Sequence, residues 1–167
     1  MSDFFESSKI EWKSVSAELA TAYQLLWGVP LFLMSLSAGA LAYVGSFFAD
    51  WLVLAFGGAA ITLLIGSTWI FLWAKKAQRS WGYAEHGDEL VVKHGILWRR
   101  IVFVPFGRMQ FVDITVGPVD RWLGFSNVVL HTASTKTAAR IPGLPPAEAE
   151  RLRNLLISRG ESQSAGL

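Results

Sequence analysis

Hydrophobic positions are continuous in the first half of the chain and alternate with polar ones in the second. No residue from Leu19 to Ala49 carries a formal charge, and Asp50 alone separates that run from a second, from Trp51 to Ala74. Each run exceeds the roughly 20 residues that a helix needs to cross ~30 Å of hydrocarbon. The expected spans are residues 23–44 and 51–73, antiparallel within a hairpin 19–74 and joined by a turn at Gly45-Ser46-Phe47-Phe48-Ala49-Asp50. Too little chain remains to wrap two such helices in a soluble core. Pro30 falls inside the first span, where it removes a backbone donor and should kink the helix.

Ahead of the first span, Ser8-Lys9-Ile10-Glu11 has capping-box spacing and Trp12, Val15, Leu19 and Tyr23 form an apolar stripe. This predicts a helix from near Lys9 into the membrane, with residues 1–18 as a cytoplasmic N-terminal segment. A cleaved signal peptide is not expected, because Asp3, Glu6, Glu11 and Glu18 accompany only Lys9 and Lys13, and the apolar run is too long.

After Arg79 the period becomes two. Strands are expected at Gly82–Glu85, Glu89–His94, Leu97–Val104, Met109–Val116, Ser126–His131 and Ala138–Pro142. Turns fit His86-Gly87-Asp88, His94-Gly95 and Ala133–Thr137, and Pro105 and Pro118 should each end a strand. Pro145-Pro146 opens a helix with Glu148 and Glu150 in its first turn and Leu152, Leu155 and Leu156 on one face; Gly160 should stop it. The second domain is thus expected over 80–159, with 160–167 a disordered tail. The fold class is α+β: a two-helix hairpin, then a curved antiparallel sheet closed by one amphipathic helix.

Composition agrees, with 52% hydrophobic and 17% charged residues and a mean hydropathy of +0.37. Charge sets the topology. The turn between the spans has no Lys or Arg, whereas Lys9 and Lys13 precede the hairpin and Lys75, Lys76 and Arg79 follow it, so both termini should be cytoplasmic. Tyr23, Trp27, Trp69 and Trp73 then mark the inner interface, and Tyr43, Phe47, Phe48 and Trp51 the outer one. Ser35 and Gly39 in the first span, and Gly58, Thr62 and Gly66 in the second, are rows of small residues on which the helices could pack. Neither span holds Asp, Glu, Lys, Arg or His, which argues against a proton or ion pathway.

The chain has no cysteine, and His86, His94 and His131 lack metal-ligand spacing. Glu85-His86 with Asp88-Glu89 reads as a solvated turn rather than a metal cluster. No phosphate-binding glycine loop or nucleophile elbow is present. Neither an enzyme, a cofactor nor a metal is expected. A formal net charge of only +2 gives no reason to expect nucleic acid as a partner. Lys75, Lys76, Arg79, Arg99 and Arg100 are instead candidates for lipid headgroup contact.

The order and spacing of Gly82-Tyr83, Glu89-Leu90, Lys93-His94-Gly95-Ile96-Leu97, Val104-Pro105-Phe106-Gly107-Arg108-Met109-Gln110, Arg121-Trp122-Leu123-Gly124 and Leu144-Pro145-Pro146 resemble the bacterial pleckstrin-homology-like (PH) domain of YdbS-like membrane proteins. The resemblance covers nearly all of 80–159 and includes the preceding hairpin. It implies a cytoplasmic PH-like barrel anchored by the hairpin in the bacterial plasma membrane, and a binding or assembly module without an established enzymatic activity. The family's Pro-x-x-Arg-x-Gln segment carries over onto Pro105, Arg108 and Gln110, and its Arg-x-x-Gly onto Arg121 and Gly124. Arg108, Gln110 and Arg121 either tie strands and turns together or touch a partner. Trp122 either anchors a partner or folds back over the open sheet, with Arg121 paired to Asp120 or Asp113. The expected role is an accessory or scaffold subunit of a membrane complex, with membrane lipids and another membrane protein or a second copy as partners; the alternative is an anionic-lipid-binding module. Trp98, Phe103, Phe106, Trp122 and Phe125 cannot all fit one small core.

Overall fold

The computed structural model describes residues 11–132 and 139–165. The chain divides into two compact units: residues 20–76, and residues 1–19 together with 77–167.

The first unit is built on two long helical stretches. One comprises α1 (Glu18–Tyr23), a π-helical segment Gln24–Gly28 and α2 (Val29–Gly45); the other is α3 (Asp50–Ser80). Both are long and apolar enough to cross a membrane. Trp27, Leu36, Leu54 and Trp69 stay largely exposed, an arrangement that water would penalise and hydrocarbon would not. The π-helical segment ends two residues before Pro30, and the Val29 N–H reaches back five residues to the Gln24 carbonyl. The expected disturbance at Pro30 thus takes the form of a widened turn.

The helices meet through serines more than through glycines. Ser35 Oγ donates to the Ala60 carbonyl at 2.8 Å, and the buried Ser67 Oγ donates to the Gly28 carbonyl at 3.1 Å. A Cβ on Gly28 would lie 2.8 Å from the Phe71 ring, and one on Gly45 would lie 2.9 Å from Leu52 Cβ. Of the small residues expected at the seam, only Ser35 is buried there. Gly39, Gly58 and Thr62 are exposed, Gly66 is half-buried, and a Cβ on any of the three glycines would meet nothing within 4 Å. Thr62 spends its hydroxyl on the Gly58 carbonyl of its own helix. Equal depth in the bilayer does not fix the face a residue presents.

The second unit contains two antiparallel sheets. The first has the order β1 (Lys13–Ser14), β2 (Gly82–His86), β3 (Glu89–His94), β4 (Arg100–Pro105); the second has the order β5 (Met109–Thr115), β6 (Ser126–Thr132), β7 (Ala139–Leu144). The helix expected from Lys9 is not formed at residues 11–16, and its first residues lie outside those described. Lys13 pairs with Tyr83 and Ser14 with Gly82 instead, so the β domain takes its first strand from ahead of the apolar helices. Val15 and Leu19 are buried there. Ser16 N–H donates to the Gly143 carbonyl at 2.8 Å, and Gln78 Nε2 donates to the Val15 carbonyl at 2.8 Å. Gly143 has φ +71°, and a Cβ on it would lie 2.9 Å from Leu19 Cβ, so both its backbone and its neighbour require glycine.

Leu90, Val91 and Val92 are all buried, so both faces of central strand β3 are covered. Tyr83, Val104, Phe106, Phe125, Leu130 and Ile141 join the core. A short α4 (Pro118–Leu123) connects β5 to β6 where an irregular loop is expected, and β4 begins at Arg100 rather than Leu97. The final helix, α5 (Pro146–Ala165), packs Ala149, Leu152 and Leu156 inward. It continues through Gly160, where the sequence suggests a stop and a disordered tail. Glycine costs about 1 kcal/mol inside a helix, but it ends one only where the backbone turns left-handed, and Gly160 does not. The turn expected at Ala133–Thr137 lies outside the described residues.

Candidate functional site

One cluster of charged groups ties β1, β2 and α5 together. Arg151 donates through Nε and Nη2 to both carboxylate oxygens of Glu148 at 2.7 Å each, and through Nη2 to Glu85. The Tyr83 hydroxyl donates to Glu148 Oε1 at 2.9 Å, and Lys13 Nζ lies 3.2 Å from Glu85 and 3.5 Å from Glu148. Bidentate geometry makes the Arg151–Glu148 pair the strong member. The Arg151 guanidinium holds the Glu148 carboxyl down to about 2 and lowers that of Glu85 as well. Burial, then the hydrogen bond to Glu148, pushes the Tyr83 phenol up. These shifts keep Glu85 and Glu148 ionised and Tyr83 protonated near neutrality, which suits a clasp. Among the described residues, no group of three His, Asp or Glu is placed to hold a metal ion.

Outside this clasp, α4 presents Trp122 on a preorganised support. Asp120 Oδ2 accepts the Gly117 N–H at 3.0 Å and Asn127 Nδ2 at 2.7 Å, and the Phe125 N–H donates to the Asp120 carbonyl at 3.0 Å. Asn127 and Phe125 are buried behind the helix, while Trp122 is 75% exposed. Trp122 does not fold back over the sheet. Asp120 is engaged with Asn127, and Asp113 lies 3.3 Å from His131, whose ring stacks on Phe111 at 4.1 Å, so neither carboxylate serves Arg121. Arg121 is exposed.

The other expected contact residues stand elsewhere. Arg108 is exposed in a 3-10 turn before β5, and exposed Gln110 sits at a register shift between Met109 and Phe111. The length of β5 separates them from Arg121 and Trp122 by roughly 20 Å, so the four do not make one patch.

Of the basic residues, Lys75 and Lys76 are exposed on α3 in the helical unit, whereas Arg79, Arg99 and Arg100 are exposed in the β unit. The β3–β4 turn that carries Arg99 brings Leu97 and Trp98 to 89% exposure each. At its base Trp81 stacks on His94 with ring centroids 4.8 Å apart, and on the same strand Lys93 Nζ sits 4.2 Å from the Trp12 ring. Trp12 was read from the sequence as part of a helical stripe and Trp81 was not singled out, although two tryptophans flanking the apolar runs were a signal for packing at the domain's base.

The profile of a family described as "Bacterial PH domain" matches residues 25–160. The UPF0699 transmembrane protein YdbS of Bacillus subtilis (strain 168) is 34% identical over 95 residues, which are 57% of this chain and 58% of that protein. The chain therefore spans little more than half the length of this relative. No solved structure matches.

Proposed function

The chain belongs to the bacterial PH domain family, and on that footing we propose that it is a non-catalytic binding module on a two-crossing membrane anchor, serving as an accessory or scaffold subunit of a larger membrane complex. The observation that carries this reading is Trp122. A tryptophan 75% exposed beside an exposed arginine, on a helix fixed by a part-buried Asn127–Asp120 hydrogen bond, has the composition and rigidity of an interface anchor. The relative is itself described as a transmembrane protein. β1 and β2 lie on either side of the apolar helices in sequence and are hydrogen-bonded in one sheet, which supports a hairpin that leaves and returns on the same face of the membrane. The Lys/Arg bias puts that face in the cytoplasm of a bacterium, with both termini inside. A reporter fused after Leu167 should be cytoplasmic and one at Ser46 external; an external C-terminus sinks this topology.

The role itself is tested on the full chain purified in mild detergent, with co-purifying proteins identified by mass spectrometry. Trp122→Ala should keep the thermal midpoint within a few degrees of wild type and lose the partner. A variant that retains the same partner at wild-type yield removes Trp122 from the interface.

A further inference from the structure

We propose that the β3–β4 turn, residues 95–99, is a membrane-docking tip that seats Leu97 and Trp98 in the headgroup layer of the bilayer and sets Arg99 and Arg100 among anionic lipid phosphates. This is a contact of the domain with lipid and stands whether or not Trp122 binds a protein.

Three observations meet at the turn. Leu97 and Trp98 are adjacent, at the apex, and each 89% exposed, the highest values of any large hydrophobic side chains among the described residues. An adjacent leucine and tryptophan offer more apolar surface than a water-facing turn sustains without cause, and tryptophan favours the layer where an apolar body meets polar headgroups. The apex is also held in place. Gly95 has φ +107°, and a Cβ on it would lie 2.0 Å from the Trp98 carbonyl oxygen, so the turn doubles back more tightly than any other residue permits. The His94–Arg100 pairing and the Trp81–His94 stack brace its base.

The third observation is direction. Ser14, Gly82, Lys93 and Ile101 lie side by side across the four strands. The end of the sheet where β3 passes to β4 is therefore the end where β1 finishes and β2 begins, the two points at which the chain runs to and from the apolar helices. The β2–β3 turn at Gly87 lies at the other end. A turn leaving the first end shares that end with both links to the apolar helices, and its charge suits a lipid surface. Arg99 and Arg100 are exposed beside the apolar pair, and long arginine stems can lie along apolar surface while their guanidinium groups reach phosphate. Near an anionic surface each such charge strengthens attraction by about fivefold.

The chain has no cysteine, so a single one can be labelled. Full-length Leu97→Cys and Asp88→Cys, each carrying an environment-sensitive fluorophore, are placed in nanodiscs of phosphatidylcholine with or without phosphatidylglycerol. The label at 97 should be quenched by doxyl-labelled lipid and several-fold less than the label at 88 by aqueous acrylamide. Arg99→Gln with Arg100→Gln should remove any extra lipid quenching that phosphatidylglycerol produces. Equal acrylamide quenching at 97 and 88 overturns the proposal. So does protection at 97 without lipid quenching, which assigns the turn to a protein contact instead. Leu97 is exposed, so its replacement leaves the core intact, and Trp98→Cys repeats the measurement at the neighbouring position.

Discussion

Two connections of the β domain each expose a tryptophan, and they are built differently. Trp122 stands on a short helix whose turn is fixed by Asp120 and Asn127, with Asp120 and Arg121 balancing in charge. Trp98 stands at the apex of a doubled-back turn beside Leu97, followed by two arginines. A protein partner rewards a side chain held in one place, because freezing it on binding costs less. A fluid bilayer rewards apolar area and positive charge without demanding exact placement. On the two proposals above, one residue type at similar exposure would have two uses, told apart by its neighbours: a charge-balanced helix at Trp122, a leucine and two arginines at Trp98.

The largest test of this contrast sets both tryptophans against the aromatic residues behind them. Phe125→Ala should destabilise by about 3–5 kcal/mol, the usual cost of emptying a large core site, and should lower expression. Thermal unfolding of the full chain in detergent reads this directly. A loss below ~1 kcal/mol would mean that α4 rests on something other than Phe125.

Acid gives an intermediate effect that should reach the two supports unequally. The Glu148 carboxyl is held down to about 2, so its contribution is complete above its ordinary value near 4.5 and disappears as pH falls between the two. The groups are partly exposed, so the loss is on the order of 1–2 kcal/mol after screening. It falls on the clasp joining β1, β2 and α5, in the sheet that carries Trp98. Hydrogen exchange near pH 3 should therefore rise at β1 and β2 before it rises at β5 and β6, which carry α4. The reverse order would detach the clasp from the stability of that sheet.

The smallest effect belongs to the tryptophans themselves. Trp98→Ala and Trp122→Ala should each change stability by no more than about 0.5 kcal/mol, since neither side chain is buried. A shift of several degrees in the thermal midpoint for either would return that residue to the fold.

What could be read from the sequence follows the length of each pattern. The two apolar runs and strands β2, β3, β5 and β6 repeat over enough residues for their period to speak, and turn residues bracket them. β1 is two residues long and carries no period. Trp12, Val15 and Leu19 have helical spacing, yet Val15 is buried in the β domain and Leu19 packs against Gly143 of β7, so tertiary contact overrode local preference. The helix seam was misjudged because small size was weighed above hydrogen bonding. Ser35 and Ser67 each reach a carbonyl of the opposite helix, and in a pair of apolar helices such hydroxyls were the more informative residues. Among the five aromatic residues too many for one core, the strands and turns decide: Phe106 and Phe125 point in, while Trp98, Phe103 and Trp122 point out. Trp122 was singled out as a contact residue, but its support by Asn127 required the fold.

The division of the β domain around the apolar helices has a consequence for synthesis. β1 leaves the ribosome before either helix, and its partner β2 follows only after both. Until then Val15 and Leu19 have no pocket. A chain whose second helix failed to insert would strand β1 across the bilayer from the rest of its sheet, and the domain could not close. On the proposed two-crossing topology, completion of the sheet would therefore depend on insertion of both helices.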